Sequence, residues 1–221
     1  MKNILICISN YKKEEYLERA IRSCEAQLTY GTSIKIVVVN DGSCKFNKKQ
    51  LKCEFPNIKV INYKKNQGVA YASNRALYSC DSDYFLRVDA DDYIGMKSCL
   101  ILSTFLIENP KIPFVYGDIL LINKKHMVSK ISRKNRSQLL EHGAGIMFRS
   151  SQLKSINGYN NKLKNCEDFD LIIRIEKKYG YGYHIPFSYY RYYKDSKNSL
   201  SKSKNRSKYL KIMKSKYEKY L

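Results

Sequence analysis

The residues of this chain best suited to chemistry are acidic side chains that follow a predicted strand. Asp89 and Asp91 stand two residues apart after the mostly apolar run Tyr84 to Val88. Two carboxylates at that spacing can hold a hard divalent cation, which prefers oxygen ligands and keeps positions open for substrate phosphates. The alternative is an Asp-rich turn that caps the following helix, and the spacing alone leaves both interpretations open.

Two earlier strand ends carry polar residues of a similar kind. Asp41 follows the apolar run Ile34 to Val39, and Ser9 and Tyr11 end the first apolar run of the chain. A buried carboxylate can accept a hydrogen bond from a nucleobase N–H, and a tyrosine ring can stack on the base. Individually, Asp41 is typical of a turn and Tyr11 of packing, so it is their convergence that predicts a nucleotide-diphosphate pocket.

The elements that must position these residues alternate between strand and helix patterns, which predicts a parallel α/β sheet. Strands are predicted at Ile4 to Ser9, Ile34 to Val39, Ile58 to Tyr63 and Tyr84 to Val88, and helices at Glu14 to Leu28, Lys48 to Phe55 and Gly68 to Cys80. Right-handed crossovers bring the carboxyl ends of such strands to one edge, where open α/β sheets bind ligands. The polar strand ends should therefore meet in one crevice.

The pattern changes after Asp92 and no longer alternates regularly. Helices are predicted at Lys97 to Glu108 and Glu167 to Tyr179, strands within Phe114 to Asn123 and at Ala144 to Phe148, Tyr183 to Ile185 and Tyr189 to Tyr193, and a loop at Lys124 to Gln138. We interpret residues 1–193 as one domain with halves 1–92 and 93–193, followed by a Lys/Ser-rich tail at 194–221.

Five segments appear in an order that resembles the GT-A nucleotide-sugar glycosyltransferases of glycosyltransferase family 2. They are SNYKKEEYLERAI, IKIVVVNDGS, NQGVAYASNRAL, YFLRVDADD and CEDFDLIIRI, and the similarity runs from about Asn3 to Arg191. The resemblance implies a GT-A fold, in which a Rossmann-like and mostly parallel nucleotide-binding sheet carries helices on both faces. Here it would be extended by the basic C-terminal tail.

The resemblance also implies roles for residues on the donor side. Tyr11 would stack on the donor base and Asp41 would bind the N–H of that base, while Ser9 and Gly68 would also lie at the donor nucleotide. Asp89 would lie near the ribose and the metal. The implied donor is a nucleotide-diphospho-sugar, most simply a UDP-sugar.

The remaining implied roles concern the metal and the reaction. Asp91, together with Asp89, would ligate Mn²⁺ or Mg²⁺. Asp168 would be the catalytic base of an inverting transfer, with Glu167 beside it on the acceptor side. A sugar hydroxyl is a poor nucleophile, so a carboxylate within reach can take its proton as attack proceeds. The alternative is that Glu167 and Asp168 merely favour the N-terminus of a helix.

The chain departs from the family pattern at three places. Ser73 stands where members often have Arg, and Ser9-Asn10 stands where they have Pro-Thr. The segment 190–193 (YRYY) lies where many members place a His that completes the metal or diphosphate site. We therefore assign no third metal ligand from the C-terminal region.

The net charge of +21, from 41 Lys and Arg against 20 Asp and Glu, favours anionic partners. A basic nucleic-acid-binding α/β protein without transferase activity is the main alternative function. It leaves the acidic strand ends unexplained, because carboxylates repel phosphates unless a metal intervenes. A dehalogenase-type phosphatase is disfavoured, because it would have Thr or Val where Tyr93 stands. A P-loop protein is excluded, because the phosphate-binding P-loop motif does not occur. Gly143-Ala144-Gly145 is a weak signal for dinucleotide binding, because it lacks the third glycine of that fingerprint.

The seven cysteines are odd in number, have no C-x-x-C spacing and share the chain with only three histidines. This argues against a zinc site or a disulfide framework and for small buried thiols in a reducing compartment. The first apolar run, Ile4 to Ile8, is too short for a signal peptide, and the nine residues Cys99 to Ile107 are too few to span a membrane. We expect a soluble, cytoplasmic protein.

The tail contains ten basic and two acidic residues, and its apolar residues Leu210, Met213, Tyr217 and Leu221 recur at near-helical spacing. One hypothesis is that this segment docks on the anionic cytoplasmic face of a membrane, close to a lipid-linked acceptor. The alternatives are a solvated tail, or a helix packed on the core or on a second subunit. The function predicted for the whole chain is metal-dependent transfer of a sugar to a glycan or lipid-linked acceptor in cell-surface polysaccharide synthesis.

Overall fold

The structure is a computed structural model that describes residues 1–125, 128–196, 203 and 205–220. The elements of the first half are β1 (Lys2–Asn10), α1 (Glu14–Glu25), β2 (Thr32–Asp41), α2 (Lys48–Glu54), β3 (Lys59–Tyr63), α3 (Val69–Leu77) and β4 (Tyr84–Asp89). Every strand and helix predicted here is present, with bounds that differ by a few residues. Leu28, the last residue of the first predicted helix, lies beyond the end of α1 and is exposed.

The second half contains β5 (Tyr93–Ile94), α4 (Ser98–Glu108), β6 (Phe114–Ile122), β7 (Val128–Ile131), α5 (Arg136–Glu141), β8 (Met147–Arg149), α6 (Ser150–Ser155), α7 (Glu167–Tyr179), β9 (Tyr183–Tyr193) and α8 (Arg206–Lys216). A 3-10 turn at Glu218–Tyr220 follows. The division at residue 92 and the domain end at 193 stay predictions.

In the part of the chain that the structure describes, nine strands form one sheet in the order β3-β2-β1-β4-β8-β6-β9-β5, with β7 paired to β6. The strands β3, β2, β1 and β4 are all parallel, whereas β8 is antiparallel to both β4 and β6. The parallel register sets Asn10 beside Asn40 and Ser9 beside Asp89, so the carboxyl ends lie level. The fold is the predicted α/β GT-A type.

The sheet is buried on both faces, which explains the continuous apolar runs. Successive residues of β1 alternate between two cores: Ile4, Ile6 and Ile8 pack on one face, and Leu5 and Cys7 on the other. Helices α1 and α4 contribute to the first core, and α3 and α7 to the second. All seven cysteines are free thiols, four of them buried, as the sequence predicts.

The prediction of a loop at Lys124 to Gln138 is wrong, because this segment contains β7 and the start of α5. Most side chains of β7 are exposed, so the strand has no buried face to give an apolar pattern. The two strands predicted after Tyr183 are one strand, β9, which continues through Pro186. Its register with β6 shifts near Asp118, and that irregularity accommodates the proline.

The C-terminal helix α8 packs on the core. Met213 and Tyr217 are buried in the same cluster as Phe169 of α7, and Leu210 is half-buried against it. The Tyr217 hydroxyl donates to Asp170 at 2.5 Å. For these residues, the alternative of a helix packed on the core is confirmed. Leu221, the last residue of the predicted stripe, lies outside the described residues.

Among the described residues, no helix combines the length and the apolar character needed to cross a membrane.

Replacement of Met213 by Ala tests this packing of α8. Met213 is 2% exposed and its neighbour Ile212 is 48% exposed. We expect Met213→Ala to lower the free energy of unfolding by about 2–4 kcal/mol, because it leaves a cavity between α8 and the core. Ile212→Ala, the matched control, should change it by less than about 0.5 kcal/mol. Equal, small effects in urea unfolding would contradict a docked helix.

Candidate functional site

A cavity of about 390 Å³ lies at the carboxyl edge of β1, β2 and β4. It is lined by every residue predicted for the site: Ser9, Tyr11, Asp41, Gly68, Asp89, Asp91, Glu167 and Asp168. The first six residues lie at the ends of the parallel strands or in the loops that follow them, and the last two lie at the N-terminus of α7. The structure brings these residues together, and the role of each stays a prediction.

The acidic turn after β4 is fixed by the last strand of the sheet. Asp92 is buried, and its carboxylate accepts from the Tyr190 hydroxyl at 2.8 Å and from the Tyr193 backbone N–H at 2.9 Å. The same Tyr190 oxygen accepts from the Asp89 backbone N–H at 3.2 Å. The segment 190–193 therefore holds the acidic turn in place. Tyr190 was missed as a site residue, because only the tertiary structure brings it beside Asp92.

Asp89, the last residue of β4, lies beside Ser9 of the adjacent strand β1, with the Ser9 hydroxyl 3.4 Å from Asp89 Oδ1. Burial raises the pKa of the Asp89 carboxyl, and the nearby Arg87 charge opposes that shift. Asp91 accepts from Lys13 Nζ at 2.8 Å, and this lysine is buried and also contacts Ser196. Both carboxylates are thus already held by cations of the chain.

The donor set of the acidic turn fits a hard divalent cation. Asp89 and Asp91 both reach the cavity and offer only oxygen atoms. Among the described residues, no three His, Cys, Asp or Glu side chains are grouped closely enough to hold a metal by themselves. A Mg²⁺ or Mn²⁺ here would take its other ligands from phosphate and water, as such ions commonly do. It would also compete with the Lys13 ammonium for Asp91.

Asp41 organises the loop that leads into α3. Its carboxylate accepts from the backbone N–H groups of Gln67 and Gly68, each at 2.8 Å, and from Asn66 Nδ2 at 2.9 Å. Burial raises the pKa of Asp41, and the two backbone hydrogen bonds act against that shift. Gly68 has φ +100°, a conformation that favours glycine. Asp41 therefore shapes the loop at residues 66–68 in addition to lining the cavity.

Tyr11 lies at the mouth of the cavity and is 38% exposed. Its neighbour Lys12 adopts a left-handed backbone conformation, and the Lys12 backbone N–H donates to the Ser43 hydroxyl at 2.5 Å. The Lys12 ammonium lies 5.1 Å from the centre of the Tyr11 ring. An accessible ring at this edge can stack on a planar ligand group.

Arg87 lies in the interior of β4 and is only 4% exposed. Its Nη2 donates to Asp168 Oδ2 at 2.7 Å, its Nη1 donates to Glu167 Oε1 at 3.1 Å, and its Nε lies 3.3 Å from Asp89 Oδ1. One guanidinium therefore joins Asp89, at the end of β4, to the helix that carries Glu167 and Asp168. Sequence reasoning missed it, although a charged residue inside an apolar strand was a usable signal.

Asp168 has a pKa raised to about 6, mainly by burial, with Arg87 lowering it and Glu167 raising it. A carboxylate with such a pKa is ionised at neutral pH and is a stronger base than an ordinary aspartate. Gly143 makes this position possible, because a Cβ atom there would overlap the side chain of Asp168. The first glycine of Gly143-Ala144-Gly145 thus makes room for the carboxylate.

The rest of the cavity wall comes from residues that sequence reasoning did not select. His142 follows α5, and Arg206 and Leu210 belong to α8. Burial lowers the pKa of His142, and the Arg206 charge lowers it further, so the imidazole is neutral at neutral pH. Their positions depend on the packing of α5 and α8, which no local sequence pattern reports.

The family model described as Glycosyl transferase family 2 matches residues 5–157. The teichoic acid poly(glycerol phosphate) polymerase of Staphylococcus epidermidis is 33% identical over 99 residues, which are 43% of this chain and 14% of that protein. The minor teichoic acid biosynthesis protein GgaB of Bacillus subtilis is 26% identical over 214 residues, which are 88% of this chain and 23% of that protein. The chain therefore spans less than a quarter of either relative.

Solved structures of S. aureus TarS share the fold. The complex of TarS residues 1–349 with UDP-GlcNAc aligns with a TM-score of 0.75 at 22% identity, covering 92% of this chain and 61% of that one. The complex with UDP aligns with a TM-score of 0.72 over 87% of this chain and 60% of that one, also at 22% identity.

Direct titration of Asp168 tests the electrostatics of this site. A ¹³C-labelled Asp168 carboxyl followed by NMR should titrate with a pKa of about 6. Glu167→Gln should lower that pKa, because it removes a neighbouring negative charge that disfavours ionisation. The control, Glu108→Gln at the exposed end of α4, should leave it unchanged. An ordinary aspartate pKa in the unmodified chain would show that the carboxyl is not buried as described.

Proposed function

The chain belongs to glycosyltransferase family 2, and on that basis we propose that it transfers a sugar from a nucleotide-diphospho-sugar to a hydroxyl group, with inversion at the sugar. A UDP-sugar is the proposed donor, and a glycan or a lipid-linked saccharide is the proposed acceptor. The proposed process is synthesis of a cell-surface polysaccharide.

The observation that supports this proposal is the placement of two carboxylates, Asp89 and Asp168, on either side of Arg87. Asp89 lies 3.3 Å from one edge of the guanidinium, and Asp168 lies 2.7 Å from another. A transferase of this kind needs one carboxylate to bind the metal that holds the diphosphate, and another carboxylate to accept the proton of the attacking hydroxyl. A single cavity supplies both.

The donor nucleotide is assigned to the edge of the cavity formed by β1 and β2. Tyr11 offers an accessible ring there, and the loop held by Asp41 turns back at Gly68. Uracil is the favoured base, a choice supported by the fold shared with TarS, whose structures include complexes with UDP and UDP-GlcNAc.

Asp168 is proposed to act as the general base. As the acceptor oxygen forms its bond to the anomeric carbon, the bond from that carbon to the diphosphate oxygen breaks, and the hydroxyl proton passes to Asp168. Arg87 orients the carboxylate through the 2.7 Å hydrogen bond. A divalent ion held by Asp89 and Asp91 would stabilise the charge on the departing nucleoside diphosphate. The carboxylate is regenerated when the proton is lost to water.

Two further parts of the proposal concern the surroundings of the enzyme. The relatives from S. epidermidis and B. subtilis are named for teichoic acid synthesis, which supports an acceptor in a cell-surface polymer.

A cytoplasmic location and contact between the basic C-terminal segment and an anionic membrane face stay predictions. Because Met213 and Tyr217 are packed on the core, that contact would depend on exposed lysines such as Lys208 and Lys211.

The metal assignment is tested with Asp91→Asn. UDP with Mn²⁺ should raise the Tm of the unmodified chain in a screen of nucleoside diphosphates, because a ligand stabilises the folded state according to its occupancy. Asp91→Asn should lose most of the Mn²⁺-dependent part of that rise. The control is Asp81→Asn, since Asp81 is exposed and does not line the cavity.

An undiminished rate of sugar transfer from the donor in the presence of excess chelator would contradict the metal assignment. Salt-dependent retention on DNA, with neither UDP binding nor hydrolysis of any UDP-sugar, would instead favour the nucleic-acid-binding alternative.

The base assignment is tested with Asp168→Asn. The transfer rate should fall by about 10²–10⁴, the usual contribution of a positioned general base, while UDP affinity stays nearly unchanged. Glu167→Gln is the matched comparison, because both carboxylates bind Arg87. Circular dichroism checks that each variant is folded. Loss of activity in Glu167→Gln but not in Asp168→Asn would reverse the assignment.

A further inference from the structure

The C-terminal helix α8 forms part of the wall of the catalytic cavity. Arg206 from its first turn and Leu210 from the next turn line the cavity opposite the donor strands. The far end of the helix is fixed to α7, where Tyr217 and Lys216 both donate to Asp170 Oδ1, at 2.5 and 2.7 Å. The helix that carries Arg206 is thereby fixed to α7, whose first turn contains the proposed base.

The anchor of α8 is an ionised carboxylate. Burial alone would raise the pKa of Asp170, but hydrogen bonds from Lys216, Tyr217 and Arg174 hold it below its ordinary value. Asp170 is therefore charged at neutral pH, and its two partners on α8 remain bound there.

In the part of the chain that the structure describes, Arg206 has no acidic partner. Its Nη2 donates to the Glu141 backbone carbonyl at 2.7 Å, and among the described residues no carboxylate forms an ion pair with it. In contrast, Lys13 is paired with Asp91, and Arg87 is paired with Asp168 and Glu167. A guanidinium has five N–H donors, so a bond to one carbonyl leaves most of its capacity for a ligand.

The surroundings of Arg206 place it on the acceptor side of the cavity. Burial lowers the pKa of His142, and the charge of Arg206 lowers it further. Burial raises the pKa of Cys166, the residue before Glu167, and the charge of Arg206 opposes that shift. Among the described residues of the cavity wall, Lys164 is a second cation without a carboxylate ion pair, and it donates to the Gln67 carbonyl at 2.9 Å on the proposed donor side. The acceptor side therefore carries its own fixed positive charge.

We propose that Arg206 binds an anionic group of the acceptor, so that the acceptor is a phosphate-bearing saccharide or polyol. This inference rests on the proposed transferase function and names the class of its acceptor. A planar guanidinium matches the oxygens of a phosphate in a bidentate manner, which a neutral sugar cannot offer. The phosphate could belong to a phosphodiester polymer or to the diphosphate of a lipid-linked saccharide, and the two sources share this chemistry.

Two simpler roles for Arg206 make different predictions. A residue that only caps the C-terminus of α5 through Glu141 would affect stability and not ligand affinity. A residue that contacts the donor diphosphate would affect UDP affinity. Affinity for UDP and affinity for an acceptor probe therefore have to be measured separately.

The experiment uses the full chain saturated with UDP and Mn²⁺ and three fluorescent probes. These are a glycerol phosphate trimer with phosphodiester links, a farnesyl-diphospho-N-acetylglucosamine, and the neutral saccharide maltotetraose. Fluorescence anisotropy should show binding of at least one phosphate-bearing probe and much weaker binding of maltotetraose. The stronger of the two phosphate-bearing probes identifies the source of the phosphate.

Arg206→Gln should weaken binding of that probe by about 10- to 100-fold, the usual worth of a hydrogen bond to a charged group, and leave UDP affinity unchanged. Arg206→Lys should restore part of the affinity, because it retains the charge. Lys208→Gln removes the same charge from an exposed position of α8 and should have little effect.

Several results would overturn the inference. These are equal binding of maltotetraose, no binding of either phosphate-bearing probe by a chain that binds UDP, an unchanged probe affinity in Arg206→Gln, or a loss of UDP affinity in that variant. Failure of the unmodified chain to bind UDP at all would instead count against the proposed function.

Discussion

The site depends on one buried guanidinium. Arg87 lies inside the sheet, where an unpaired charge would carry a large desolvation cost, so its position requires carboxylates from elsewhere in the fold. Glu167 and Asp168, some 80 residues away in sequence, supply two of them, and Asp89 supplies the third. The interaction fixes the N-terminus of α7 against β4, so the same contact that satisfies the buried charge assembles the two sides of the cavity.

The same arrangement adjusts the acid–base properties of the carboxylates. Burial raises the pKa values of both Asp89 and Asp168, and the charge of Arg87 opposes each shift. For Asp168 the balance leaves a pKa of about 6, low enough for the group to be ionised at neutral pH and high enough for it to accept a proton. Removal of Arg87 would raise both values, because both carboxylates would lose their nearest compensating charge.

The C-terminal helix shows why composition alone was a poor guide to the last segment. Its many lysines and apolar stripe were compatible with a membrane, solvent or the protein core. Met213 and Tyr217 pack on the core, and Asp170, buried in α7, binds both Tyr217 and Lys216. The helix thereby becomes part of the cavity wall and brings Arg206 and Leu210 to it. Part of the positive charge of the chain therefore lies in the wall of the cavity.

The sequence by itself determined the parallel half of the sheet and the edge at which Ser9, Asp41 and Asp89 meet. Buried parallel strands need continuous apolar runs, and right-handed crossovers leave only one edge for their carboxyl ends. Resemblance to a family added Asp168. The contacts of Arg87, Tyr190 and Arg206 could be found only in the tertiary structure, because each joins residues 65 to 101 positions apart in the sequence. The strand β7 also required the tertiary structure, because it has no buried face and therefore no apolar sequence pattern.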